Sequence, residues 1–197
     1  KNKTNRMPLV LNGARQVGKT HSLKEFASQH FDNFIYINLE VNTTVKNFFD
    51  GTIEAARVVQ FLEVTSDQKI LPEKTLIILD EIQTSPRALL SLKSFCEDAP
   101  QFAVIAPGSL LGVAINREQF SYPVGKVDEL TLYPMSFEEY LIAAERKLLK
   151  DTIKIHFEKN EKMDDALHEQ ALEEFKNYLV FGGMPAAVNE YIKTKSF

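Results

Sequence analysis

Eight consecutive residues carry the first chemistry in the chain: Gly13-Ala14-Arg15-Gln16-Val17-Gly18-Lys19-Thr20. They satisfy the pattern G-x-x-x-x-G-K-[ST], and each constrained position has a physical reason. A loop that wraps phosphate must turn successive backbone N–H groups inward, and Gly13 and Gly18 permit that curl. The helix that follows presents its positive N-terminus to the same anion. Lys19 is expected to reach the β- and γ-phosphates, and the Thr20 hydroxyl to ligate Mg²⁺. Ala14, Arg15, Gln16 and Val17 complete the cradle through their backbone. The side chains of Arg15 and Gln16 are expected to point outward and to have no catalytic role.

A phosphate loop needs a carboxylate on the metal side. The stretch "LIILDE" supplies one: four apolar residues anchor a strand, and Asp80 emerges at its C-terminal end. Ligands of open parallel sheets sit at that edge, so Asp80 is the expected Mg²⁺-side carboxylate. Glu81 follows directly. A carboxylate there can orient and deprotonate a water aimed at the γ-phosphate; as the plain alternative, it is a surface glutamate at a turn. Simple GTPases also need an N-K-x-D guanine motif. "NKTN" at Asn2 lacks the Asp and precedes the loop, which favours ATP. Arginine is sparse, which weakens a small-molecule kinase reading.

The elements that must hold these groups follow from the apolar pattern. "MPLVLNG" reads as a buried strand stopping at glycine, and Lys19 to about His30 as a helix with Leu23, Phe26 and Ala27 on one face. "NFIYINLE", "KTLIILDE", "QFAVIAPGS" and "KVDELTLYP" are four more strands. Thr43 to about Val64 is helical, broken at "DGT", and "SPRALLSLKSFCEDA" is a helix with Ser85 as N-cap and Pro86 in its first turn. Strands alternating with helices imply an α/β fold with parallel βαβ units. After Pro134 the character becomes helical. "SFEEYLIAAERKLLK" opens with the capping-box pair Ser136 and Glu139, and about Glu161 to Tyr178 forms a further helix. The expected organisation is an α/β core over residues 1–134 and a small helical segment over 135–197.

Bulk properties narrow the function classes. Lys and Arg number 23 against 27 Asp and Glu, so the net charge of −4 does not support general nucleic-acid binding. Cys96 is the single cysteine, which rules out an internal disulfide, suits a reducing cytoplasmic setting, and is expected to be a small buried side chain. "HEQAL" at His168 lacks the second histidine of a zinc-protease helix. No apolar run approaches the ~18 residues of a membrane span. The chain starts at "KNKTNR" and ends soon after an apparent helix, as a part of a longer protein would.

Taken together, "LVLNGARQVGKT", "FIYINLE", "LDEIQTSP", "PGSLLG", "LTLYPMSFEEYL" and "YLVFGGMPAAV" resemble the AAA-type predicted ATPases of prokaryotes, over nearly the whole chain. The resemblance implies a P-loop NTPase three-layer sandwich whose parallel five-stranded sheet has the order 5-1-4-3-2. It implies a small C-terminal helical lid opened by "GGMP", which as the plain alternative is a helix C-cap followed by a new helix, and a further C-terminal domain of unknown function beyond Phe197. It also implies a polar sensor at the tip of strand four. Relatives read roughly Thr-Gly-Ser there; this chain has Pro107-Gly108-Ser109, so Ser109 is the remaining candidate beside a plain turn serine. Asn38 would serve as a switch that holds Glu81 off its water, or else satisfy local backbone. An arginine finger is expected just before strand five, where Arg117 and the better placed Lys126 are available; Lys cannot grip phosphate in a bidentate way, and as the plain alternative either is a solvated charge.

Two function classes follow. The first is an ATPase that hydrolyses ATP with Mg²⁺ to drive or reset a conformational change in an attached domain or protein client. The second is a switch or scaffold module that binds ATP with negligible hydrolysis. Glu81 separates them.

Overall fold

Strand β3 (Thr75–Asp80) is buried along its whole length, and that burial explains the architecture around it. Side chains alternate across a strand. Ile77 and Leu79 enter one apolar cluster, while Leu76 and Ile78 enter another on the opposite face. A strand apolar on both faces requires cover on both sides, as in helix-flanked parallel sheets. The computed structural model describes residues 6–109 and 122–194.

The other strands are β1 (Leu9–Gly13), β2 (Asn33–Asn38), β4 (Ala103–Gly108) and β5 (Asp128–Leu132). All pairings are parallel, in the order β2-β3-β4-β1-β5. Read from the other edge this is 5-1-4-3-2, the expected order. Helix α1 (Lys19–His30) covers one face through Leu23 and Ala27. Helices α2 (Thr43–Gly51), α3 (Ala55–Ser66) and α4 (Pro86–Asp98) cover the other through Phe49, Leu62, Leu92 and Phe95. The result is the three-layer α/β sandwich of P-loop NTPases. Ser85 caps α4 by accepting the Ala88 N–H at 3.3 Å, with Pro86 in the first turn. Cys96 is half-buried rather than buried, because the neighbouring Phe95 takes the core position.

The sheet opens where the site lies. β4 pairs with β3 only as far as Ile78 opposite Ile105. Pro107 has no N–H to extend a ladder past that point. Asp80 and Glu81 on one side, and Gly108 and Ser109 on the other, therefore emerge from the sheet unladdered to each other. At the far edge, Asp128 to Thr131 of β5 are exposed, and two of those four are acidic. Charge on an edge strand discourages pairing with another chain.

The chain divides into two compact units, Lys1–Leu132 and Tyr133–Phe197. The second holds α5 (Phe137–Ala143), α6 (Lys147–Lys159), α7 (Asp165–Phe181) and α8 (Pro185–Thr194). Ser136 and Glu139 form the capping box, with bonds of 3.2 and 2.7 Å. "SFEEYLIAAERKLLK" is not one helix. It breaks at Glu145, whose left-handed φ of 60° ends α5. The core of this unit gathers around Tyr140, Leu141 and Val188, with Tyr178 and Phe181 against them. Gly183 of "GGMP" accepts the Met135 N–H at 2.7 Å, and a Cβ there would overlap the Met135 carbonyl. Close backbone approach thus accounts for that glycine.

Candidate functional site

β1 delivers the chain to the C-terminal edge of the sheet, and the loop Gly13 to Gly18 carries it into α1. Gly13 lies flush against β5: a Cβ there would sit 2.6 Å from the Leu132 carbonyl oxygen and 3.1 Å from Val17 Cγ1. Gln16 at φ 65° and Gly18 at φ 102° supply the left-handed residues that reverse the loop. Val17 is buried and pins the loop down, while Ala14, Arg15 and Gln16 are exposed. The outward expectation for Arg15 holds. Its guanidinium meets Glu40 at 3.4 Å in a solvated pair that contributes little.

Lys19 is 7% exposed and donates from Nζ to the carbonyls of Gly13 and Ala14, each at 2.9 Å. Burial pulls its pKa below the ordinary lysine value, and the nearby Glu81 and Asp80 carboxylates oppose that pull. An ammonium desolvated in this way gains from any anion that enters the loop.

Thr20, in the first turn of α1, donates its hydroxyl to Asp80 Oδ2 at 2.9 Å, joining two residues sixty positions apart. Asp80 is 3% exposed. Its Oδ1 accepts the Glu81 N–H at 2.9 Å, and Oδ2 also accepts the Tyr36 hydroxyl at 2.6 Å. Tyr36 was not expected from the sequence. Burial, reinforced by Asp80, pushes its phenol up to about 12, so it remains a donor. Lys24 lies 4.1 Å from the centre of its ring. A hydroxyl and a carboxylate are the hard oxygen donors that suit Mg²⁺, which keeps several waters and takes few protein ligands. The donor set of Thr20 and Asp80 fits that ion. Among the described residues no group of three His, Cys, Asp or Glu forms an alternative metal site.

Glu81 has left-handed φ and ψ of 53° and 43°. The short 3₁₀ turn Ile82–Thr84 follows it, anchored by the fully buried Ile82. The Glu81 carboxylate faces the tip of β4: Oε2 accepts the Ser109 hydroxyl at 3.3 Å and a side-chain N–H of Gln83. Ser109 is 5% exposed. It stands beside the candidate base, at the tip of the strand next to β3.

Asn38 sits beside Asp80 in the β2–β3 register. Its Oδ1 accepts the Glu40 N–H at 2.8 Å, which is the local-backbone alternative, and its side chain reaches the Tyr36 hydroxyl. It is not brought to Glu81, where Gln83 is found instead. Lys126 pairs with Glu97 at 2.9 Å on a partly exposed face. Arg117 lies outside the described residues.

A family model described as an AAA domain matches residues 5–141, well over half of the chain. The chain belongs to the AAA domain family. Solved structures agree on the fold of this AAA domain. One is a Walker-type ATPase of Pyrococcus abyssi, at 16% identity and a TM-score of 0.52, covering 96% of this chain and 64% of that one. Another is the Drosophila ORC bound to DNA, at 16% identity and a TM-score of 0.52, covering 98% of this chain and 55% of that one. The AAA domain described here thus spans less than two-thirds of either chain. No curated protein matches it. Among the described residues no helix is long and apolar enough to cross a membrane.

Proposed function

We propose that this AAA domain binds ATP with Mg²⁺ at the Gly13–Thr20 loop, hydrolyses it, and uses the cycle to drive or reset a conformational change in an attached domain or client. One observation carries the reading. Thr20 and Asp80 share a hydrogen bond beside the phosphate loop, and the next residue, Glu81, directs its carboxylate to the buried Ser109. In this reading the loop N–H groups and Lys19 neutralise the triphosphate. Thr20 and Asp80 hold the ion, which withdraws charge from the phosphate oxygens. Glu81 takes the proton of the attacking water. Ser109 senses the phosphate end, and the helical segment after residue 134 acts as the lid.

The desolvated Lys19 supports phosphate binding independently, because an anion restores the stabilisation that burial removes. The test is a pair of variants. Glu81→Gln keeps ATP binding while turnover falls ~100- to 10,000-fold. Lys19→Ala loses ~2–5 kcal/mol of nucleotide affinity. If Glu81→Gln and the unaltered protein turn over equally slowly, the domain is a binding module rather than a hydrolase. If Lys19→Ala binds ATP as tightly as the unaltered protein, nucleotide binding at this loop is wrong.

A further inference from the structure

We propose that Gln83 is a positioning residue for hydrolysis, aiming the Glu81 carboxylate by tying it to Ser109 at the tip of β4. The inference rests on Glu81 acting as the base, as proposed above. Gln83 stands two residues after Glu81, in the 3₁₀ turn that Ile82 anchors in the core. That turn is stiff. The Thr84 N–H and hydroxyl both bond the Glu81 carbonyl, at 2.9 and 2.8 Å, and the Ser85 N–H bonds the Ile82 carbonyl at 3.1 Å. From this fixed base the Gln83 amide donates to Glu81 Oε2 and to Ser109 Oγ, the latter at 3.3 Å. The Ser109 hydroxyl closes the triangle by donating to the same Glu81 oxygen at 3.3 Å.

The chemistry fixes the direction of these bonds. An ionised carboxylate only accepts, so the amide must offer its nitrogen. Among the described residues its carbonyl oxygen, Oε1, is then left buried with no partner. A buried acceptor without a partner is rare and calls for an explanation. Here the amide nitrogen has two oxygens to hold, one of them charged, and the carbonyl is the group sacrificed. Both donors converge on Glu81 Oε2. Glu81 itself is in a left-handed backbone conformation, so its side chain leaves the strand end in a direction the sheet does not set. Gln83 and Ser109 supply the missing constraint. Turnover is sensitive to such aim, since a misplacement of about 1 Å costs up to ~100-fold.

The experiment compares Gln83→Ala, the volume-conserving Gln83→Met, and Glu81→Gln, alone and combined, in the complete chain. ATP turnover and the binding of a fluorescent ATP analogue are measured side by side, and thermal melts report folding. Gln83→Ala and Gln83→Met are expected to lower kcat by ~10- to 100-fold with nucleotide affinity within about two-fold of the unaltered protein. In the Glu81→Gln background, either substitution at Gln83 should lower the residual rate no further, because residues acting as a unit are non-additive. A residue that merely supported the fold would lower the residual rate again and shift affinity and melting together. Unchanged or increased kcat in both Gln83 variants, with Glu81→Gln impaired, overturns this inference and leaves the hydrolase reading intact. Unchanged turnover in Glu81→Gln overturns both.

Discussion

Thr20 Oγ1 donates to Asp80 Oδ2 at 2.9 Å, so the phosphate loop and the acidic strand are joined at the place where a hard metal ion would bind. The bond links the first turn of α1 to the end of β3. Asp80→Asn or Thr20→Ala should therefore raise the Mg²⁺ concentration needed for ATP binding by ~10- to 100-fold. The double variant should cost less than the sum of the two, because both side chains act on the same ion and so are coupled. Nucleotide titrations across a Mg²⁺ series check both statements. Equal Mg²⁺ dependence in all four proteins would remove these residues from the metal site.

Gly13→Ala tests the loop without touching charge. The added methyl would stand 2.6 Å from the Leu132 carbonyl oxygen, which is backbone and cannot turn aside. The loop must then move off β5, and its N–H groups lose their convergence. ATP affinity should fall at least ~10-fold while the circular dichroism spectrum stays native. Calorimetric titration of the variant with ATP gives the answer, and native affinity would show that the loop has room to adjust.

Tyr140 makes the stability of the helical unit sensitive to alkali. It is fully buried and donates to Glu174 Oε2 at 2.6 Å, while Arg146 holds the other Glu174 oxygen at 3.2 Å. Burial first, and then the Glu174 carboxylate, raises its pKa well above the usual tyrosine value. The folded state therefore binds the phenolic proton more tightly than the unfolded state. Its contribution is complete below the unfolded pKa of about 10 and declines as pH rises from there toward the folded value. Tyr140→Phe should lower stability by about 1–3 kcal/mol at neutral pH, through the unpaired carboxylate oxygen, and flatten the alkaline decline. Urea unfolding at a series of pH values checks this. An identical alkaline slope in the variant would assign the decline to other groups.

The loop, the five strands and the acidic pair were legible in the chain because each is local. Lys19 and Thr20 follow Gly18 directly, and the apolar run of β3 carries Asp80 to a strand end whatever the rest of the fold does. The stretch from Ser136 to Lys150 shows the limit of such patterns. Its apolar spacing continues through Glu145, but the left-handed backbone there ends the helix. Cys96 carries a similar lesson: helical spacing put it near the core, yet Phe95 occupies the central position.

What the sequence by itself determined, then, is the identity of the chemical groups and the order in which strands deliver them, since both depend on neighbours within a few residues. Which groups meet was decided only by the tertiary structure. Ser109 reaches Glu81 because β4 stops pairing with β3 at Ile105 and opens the sheet edge. Tyr36 reaches Asp80 because β2 and β3 run in parallel register. Gln83, not Asn38, meets Glu81, because the buried Ile82 fixes the turn that carries Gln83, while the Asn38 side chain is turned to the Glu40 N–H and the Tyr36 hydroxyl. These contacts cross between strands, or depend on a turn that core packing fixes, and no spacing along the chain encodes them.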